Sequence, residues 1–442
     1  MTDVTKGTPH LTHGRVLAVA TPMVLSNATV PLVGLVDTAV VGQLGQAAPI
    51  GAVAVGASLL TACYWIFGFL RMGTTGLAAQ AIGAGDRDET VALLSRAVLI
   101  GLGAGVFLIL VQVPLFDLAF GLSSASPEVQ ALAEQYLAIR IWSAPALIAS
   151  YGLTGWLIAQ GRTGAVLTVQ IITNGVNISF DLVFVLGFGW GVPGVALATF
   201  LAEWAGLITC LWFCRDVFYD SAWRNWAKIM DRGRLVTMAV LNIDITVRSA
   251  LLLAVMVSFI STFSPKLGDV TLAANQILLQ FISLASFGLD GFAYTAESLV
   301  GQAVGAKDRQ RFRRAVRLCA LWCFAVAVVL SVVFFTAGGL IIDTMTTAPE
   351  VRVEARGYLL WMVACPLVAF AAYILDGVFI GATRGRDMRN MMVISAGVYF
   401  AAAMALVPVY GNNGLWAALL LCFAARGVTL AFRYPALDRA LD

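Results

Sequence analysis

Runs of about 20 apolar residues, the length a helix needs to cross about 30 Å of hydrocarbon, follow one another along this chain between short polar segments. Apolar runs set against polar breaks predict twelve spans. In the first half they cover 15–43, 48–81, 90–117, 128–160, 164–188 and 192–214. In the second half they cover 235–263, 271–303, 315–342, 350–382, 388–409 and 413–433. Several exceed the minimum length and must tilt, kink or project from the bilayer, and Pro22, Pro31, Pro145 and Pro366 supply kinks. Backbone amides in hydrocarbon must be satisfied inside their own segment, so this pattern predicts an all-α integral membrane protein.

The pattern occurs twice. Gln80-Ala81-Ile82-Gly83-Ala84-Gly85-Asp86-Arg87 recurs 222 positions later as Gln302-Ala303-Val304-Gly305-Ala306-Lys307-Asp308-Arg309. The same offset relates Pro127-Glu128-Val129 to Pro349-Glu350-Val351, Tyr151 to Tyr373, Gly155 to Gly377 and Arg162 to Arg384. The chain is a tandem duplication of a six-span unit. Because six is even, both copies share one orientation, and two six-helix lobes related by pseudo-twofold symmetry along the membrane normal are expected. The predicted boundaries are 1–214 for the N-terminal lobe, 215–234 for a linker and 235–442 for the C-terminal lobe. The linker is basic and aromatic (Tyr219, Trp223, Trp226), which suits an amphipathic helix on the anionic cytoplasmic leaflet and gives no sign of a nucleic-acid reader.

Composition supports the class. Of 442 residues 60% are hydrophobic and 12% charged, about half the charge of an ordinary soluble protein. Basic residues concentrate in alternate loops: Arg87; Arg162; Arg215 to Arg234; Lys307 to Arg317; and Arg384 to Arg389. The opposite loops hold almost none apart from Lys266, so both termini are expected in the cytoplasm of a bacterial inner membrane. The first 14 residues lack the apolar core and small-residue cleavage site of a secretory signal. The pairs Cys210/Cys214 and Cys319/Cys323 read as small buried hydrophobes rather than metal ligands. Both histidines, His10 and His13, lie in the tail, and no GxxxxGK phosphate loop or clustered nucleophile occurs. A primary pump, an enzyme, a metal site and a cofactor are therefore not expected.

Intramembrane carboxylates cost on the order of 2.5–3.5 kcal/mol each and mark ion or substrate paths. The first half holds Asp37, Asp181 and Glu203, and the positions 222 later are Phe259, Ala403 and Ala425. The second copy is built without acids there, which points to function rather than folding. Asn174, Asn177 and Asp181 fall on one helical face. Asp37, Asp181 and Thr199 all lie roughly 10 Å below the outer surface at 1.5 Å per residue. A coupling-ion cluster of Asp37, Asn177, Asp181 and Thr199 is expected, with Asn174 and Glu203 as accessories. Two carboxylates in so dry a site do not both stay charged, so they share a proton or hold Na⁺. The second half has its own network, Asp244, Arg248, Asp290, Glu297 and Asp376, nearer the cytoplasmic helix ends, in which Asp244 and Arg248 are spaced to pair. Aromatic and Met residues such as Tyr64, Trp65, Phe67, Met72, Phe281 and Phe287 are of the kind that lines a pocket for flat cations.

The segments Pro31-Leu32-Val33-Gly34-Leu35-Val36-Asp37-Thr38-Ala39-Val40-Val41-Gly42, Leu289-Asp290-Gly291-Phe292-Ala293-Tyr294 and Leu375-Asp376-Gly377-Val378-Phe379-Ile380-Gly381-Ala382-Thr383-Arg384 carry a resemblance. Across essentially its whole length the chain resembles the multidrug and toxic compound extrusion (MATE) family, in its DinF branch. The resemblance implies a V-shaped transporter of two six-helix lobes, exporting lipophilic organic cations in exchange for H⁺ or Na⁺ and working as a monomer in the bilayer. It also implies that Asp37, Asn177, Asp181 and Thr199 form the coupling-ion site, and that Pro22 is the first-helix hinge. Asp244 and Asp376 occupy the two second-lobe helices whose acids other branches use. A flippase of a lipid-linked precursor, from the same superfamily, is the alternative. Its pyrophosphate cargo calls for a basic cavity, whereas intramembrane acids here outnumber the main basic residues, Arg71, Arg140 and Arg248.

Overall fold

The computed structural model describes residues 11–43, 45–121, 126–219 and 221–441; His10 and part of the 118–127 loop lie outside them. Among these residues twelve helices are long and apolar enough to cross a membrane. We number them α1 (His13–Gly42), α2 (Ala47–Gly83), α3 (Arg87–Leu110), α4 (Pro127–Ala159), α5 (Thr163–Gly187), α6 (Gly191–Phe213), α7 (Arg232–Leu267), α8 (Asp269–Gly305), α9 (Arg309–Met345), α10 (Leu359–Gly381), α11 (Gly385–Tyr410) and α12 (Asn412–Arg439).

Two spans are interrupted where a single run was expected. The third breaks at Val111, and a separate helix, Gln112–Gly121, follows. Pro114 has no N–H for the carbonyl of Leu110, and the neighbouring Ile109 carbonyl accepts from the Gln112 side chain (2.8 Å). The tenth is preceded by a short helix, Pro349–Gly357, that stops at Tyr358.

The duplicated sequence folds into duplicated local structure. Asp86 caps α3 by accepting from the Glu89 N–H at 3.0 Å, and Asp308 caps α9 by accepting from the Arg311 N–H at 2.8 Å. The matched glycines also do the same work. A Cβ on Gly155 would stand 2.4 Å from the Arg71 carbonyl oxygen, and one on Gly377 would stand 2.3 Å from that of Ala293. In both copies the fourth helix therefore lies directly on the second, as small residues permit in membranes. Gly155→Leu and Gly377→Leu are each expected to destabilise by about 1–3 kcal/mol. The same change at Gly103, which has open space around its Cβ position, is the control. Unfolding in detergent reads the effect, and equal melting temperatures for all three would contradict the packing.

Residues Leu25–Ala81 and Asp86–Ala239 form one compact unit. Its core includes Val41, Leu60, Leu70, Tyr136, Leu137, Ile148 and Val195. The other unit is built from the chain up to Val24, Ile82–Gly85 and Val240–Asp442. α1 thus contributes to both, changing membership after Val24, two residues beyond Pro22.

The segment between the halves is not the continuous amphipathic helix expected. It folds as 3₁₀ turns at Arg215–Val217 and Ser221–Arg224 and one α-turn at Trp226–Ile229. It is pinned to the first unit instead. Buried Arg96 donates to the carbonyls of Lys228 (2.5 Å) and Ile229 (2.8 Å) while pairing with Glu89 (2.6 Å). Lys228 reaches Asp88 at 3.0 Å, and that hydrogen bond holds its ammonium pKa above the ordinary lysine value.

In the second unit Asn275 and Asn412 exchange amide hydrogen bonds at 2.8 and 2.9 Å, and the Trp416 indole donates to Asn275 at 3.0 Å. This buried, satisfied group ties α8 to α12.

Candidate functional site

α5 is regular through Asp181 and then runs as a π-helix over Leu182–Gly187. Such insertions cluster at functional sites because they rotate one side of a helix against the other. The matching end of the second copy, α11, is an ordinary α-helix to Tyr410. A second π-helical turn, Phe259–Phe263, ends the α-helical part of α7, where no acid stands.

Asp37 on α1, Asn177 and Asp181 on α5, and Thr199 on α6 are all buried. The structure brings the four together. The Asp37 carboxyl, the Asp181 carboxyl and the Asn177 side chain are close enough to act on one another electrostatically. The Asn177 amide donates to Thr199 Oγ1 at 3.2 Å, and that hydroxyl donates to the Val195 carbonyl at 3.0 Å. Four buried oxygens in this group, Asp37 Oδ1, Asn177 Oδ1 and both of Asp181, receive no donor. Acceptors buried without donors are costly. A proton or a hard cation is what such an oxygen-rich set accommodates.

The accessories sit elsewhere. Asn174 is buried, but its amide donates to the Thr29 carbonyl (3.1 Å) and its oxygen accepts from Gln170 (2.8 Å). Glu203 is half-buried and within electrostatic reach of Arg140 rather than of the aspartates. Arg140 donates to Ser143 Oγ at 2.7 Å and to the Tyr136 hydroxyl at 3.4 Å. Its charge is felt at Asp37 without a salt bridge forming. Tyr136, absent from the expected cluster, is within electrostatic reach of both aspartates. Pro22 falls inside the unbroken α1.

The second unit treats its acids differently. Asp244 does not pair with Arg248; it pairs with Arg389 at 2.6 Å. Arg248 bonds Asp376, which also meets Arg426 at 3.5 Å. Arg426 lies over the Tyr373 ring (5.3 Å to its centroid), and Asp290 is within electrostatic reach of both residues. Glu297 is buried farther along α8, where Gly381 approaches its backbone carbonyl. Asp376 and Asp290 are thus balanced by Arg248 and Arg426, whereas Asp37 and Asp181 have no ion pair among the described residues. Arg426 had a sequence signal, a lone basic residue in the middle of an apolar run. The pairing of Asp244 with Arg389 had none, because spacing within one helix favoured Arg248.

Of the aromatic residues suggested as pocket walls, Phe281 packs edge-on against Phe334 (5.0 Å) in the core, and Tyr64 is buried with its hydroxyl on the Arg140 carbonyl. Trp65 is exposed.

The MatE family profile matches residues 22–183 and 247–405. Over 413 residues the chain is 39% identical to DNA damage-inducible protein F of Escherichia coli K12, covering 93% of this chain and 90% of that protein. It is 27% identical over 458 residues to the probable multidrug resistance protein NorM of Xanthomonas campestris pv. campestris, covering 96% and 93% respectively. Among solved structures, a MATE in the bent conformation superposes with a TM-score of 0.88 at 17% identity, over 97% of this chain and 96% of that one. The Vibrio cholerae MATE transporter VcmN in the bent form gives 0.86 at 20% identity, over 97% of each chain. At such identities these two likenesses show the fold alone.

Proposed function

Because the chain belongs to the MatE family of multidrug and toxic compound extrusion transporters, we propose that it is a proton-coupled antiporter exporting lipophilic organic cations across the inner membrane, with both termini cytoplasmic. One observation carries this reading: the buried Asp37, Asn177 and Asp181 present four acceptor oxygens with no donor. The coupling ion occupies this group. A shared proton suits two neighbouring buried carboxyl groups, because desolvation and mutual repulsion oppose both being charged at once.

When the pair is charged, its negative potential favours a cationic drug; when it is neutralised from outside, that attraction weakens. The ion drives transport only because it binds the two conformations unequally. Pro22 leaves the residue 18 carbonyl without its helical partner, so α1 bends there at little cost. The change of structural unit just beyond it, after Val24, supports Pro22 as the hinge between arrangements. The salt-bridged acids of the second unit hold structure rather than move protons.

Proteoliposomes with independently imposed gradients test this. A pH gradient alone is expected to drive counter-movement of ethidium, with a Na⁺ gradient at equal pH giving no more than the leak. Movement driven by Na⁺ alone would reassign the ion. Movement indifferent to both gradients would end the antiport reading.

A further inference from the structure

Beside the first turns of α9 lies a cavity of about 990 Å³, lined in part by His13, Arg314, Arg317, Leu318, Leu321 and Tyr434. The internal duplication shows what is unusual there. The caps Asp86 and Asp308 fix the register, so Arg314, Arg317 and Leu318 stand where the first copy has Ala92, Ser95 and Arg96. In the first copy Arg96 uses its guanidinium to seat the chain's own residues 228 and 229 on the helix. In the second copy Leu318 replaces that anchor, and the corresponding face is an open cavity.

Among the described residues its charge is uncompensated. The carboxylate in the lining, Asp438, already accepts from Arg309 (2.7 Å) and Arg313 (2.6 Å). Arg314 donates its Nε–H to the Leu11 carbonyl (2.6 Å), a neutral partner, and Arg317 is exposed with no ion pair among the described residues. Directly below these guanidiniums the surface is apolar, with Leu321 52% exposed. Trp322, an interfacial residue type, donates to His13 Nδ1 at 3.2 Å. Two unneutralised guanidiniums above an exposed leucine, at the end of a membrane-spanning helix, match a phosphate joined to an acyl chain. Residues 1–10 hold one acid, Asp3, and one base, Lys6, and so bring no net negative charge to it.

We propose that this cavity binds an anionic phospholipid, with the phosphate on Arg314 and Arg317 and an acyl chain along Leu318 and Leu321. The site is separate from the coupling-ion cluster and independent of the antiport reading.

Native mass spectrometry of the purified full chain, titrated with phosphatidylglycerol or phosphatidylcholine of equal chain length, tests the proposal. Wild type is expected to retain phosphatidylglycerol about tenfold better or more, because two arginines favour its net negative headgroup over a zwitterionic one. The Arg314→Gln/Arg317→Gln variant is expected to lose that preference, and the double lysine variant to keep part of it. Should the double glutamine variant fail to fold, Arg317→Gln alone decides, with a several-fold loss expected. Equal retention of the two lipids, or an unchanged preference in the glutamine variants, overturns the proposal. So does displacement of the lipid by millimolar inorganic phosphate, which would mark a site for free anions.

Discussion

Asp37→Asn is expected to reduce gradient-driven ethidium efflux to the level of cells carrying empty vector, while membrane yield and melting temperature stay near wild type. The change is nearly isosteric, yet the amide can neither lose a proton nor attract a cation. The buried group then keeps one carboxylate, Asp181, with a permanent amide donor beside it, and the exchangeable proton is gone. Asp181→Asn is expected to behave alike from the other side of the pair. Glu203→Gln, which alters a side chain facing Arg140, is expected to retain most activity. The assay is efflux from energised cells against a matched yield of protein. If the Asp37→Asn chain still empties its cells at the wild-type rate under a pH gradient, the coupling site has been misplaced.

Asp376→Ala is expected to cost about 3–5 kcal/mol of stability, the usual penalty for removing one partner of a buried ion pair. Two buried guanidiniums, Arg248 and Arg426, converge on this carboxylate, so its loss leaves both without their nearest counter-charge. The variant should melt far lower in detergent and accumulate poorly in membranes. Adding Arg248→Met should restore part of the loss, because a long apolar side chain removes a stranded charge and fills its space. A melting temperature within a degree or two of wild type would show that the network does not carry the stability assigned to it.

The contrast between these variants follows a division that the duplication made partly readable. The twelve spans were legible because hydrocarbon leaves a helix no other way to satisfy its backbone, and the observed bounds fall close to the apolar runs. The two interrupted spans were less so. The break at Val111 depends on Pro114 and the Gln112 side chain, local chemistry that an apolar window averages away. The Asp37–Asn177–Asp181–Thr199 group was legible from depth and from the absence of acids in the second copy. Asn174 and Glu203 fell on plausible faces, but helical periodicity does not say which of several neighbours a side chain chooses. Tyr136 gave no signal, since a tyrosine within an apolar span usually only packs. Asp244 with Arg389 and Asp376 with Arg426 join different helices, and tertiary contacts between single residues leave no periodic trace. The linker shows the same limit: its basic, aromatic composition was visible, but its fastening to Arg96 was not.

The split allegiance of α1 also sets an order of assembly. Residues 11–24 are synthesised early, yet their seat is formed late: a Cβ on Gly291 would come 2.3 Å from Val24 Cγ2. At roughly 5–20 residues per second the wait exceeds about ten seconds. During that interval the body of Leu25–Ala81 and Asp86–Ala239 can mature on the ribosome, while the other must leave a berth open for a helix already threaded into the bilayer. Closure comes when α9 collects two distant segments, Leu11 through Arg314 and Asp438 through Arg309 and Arg313. A chain cut short before residue 438 would therefore keep this latch undone.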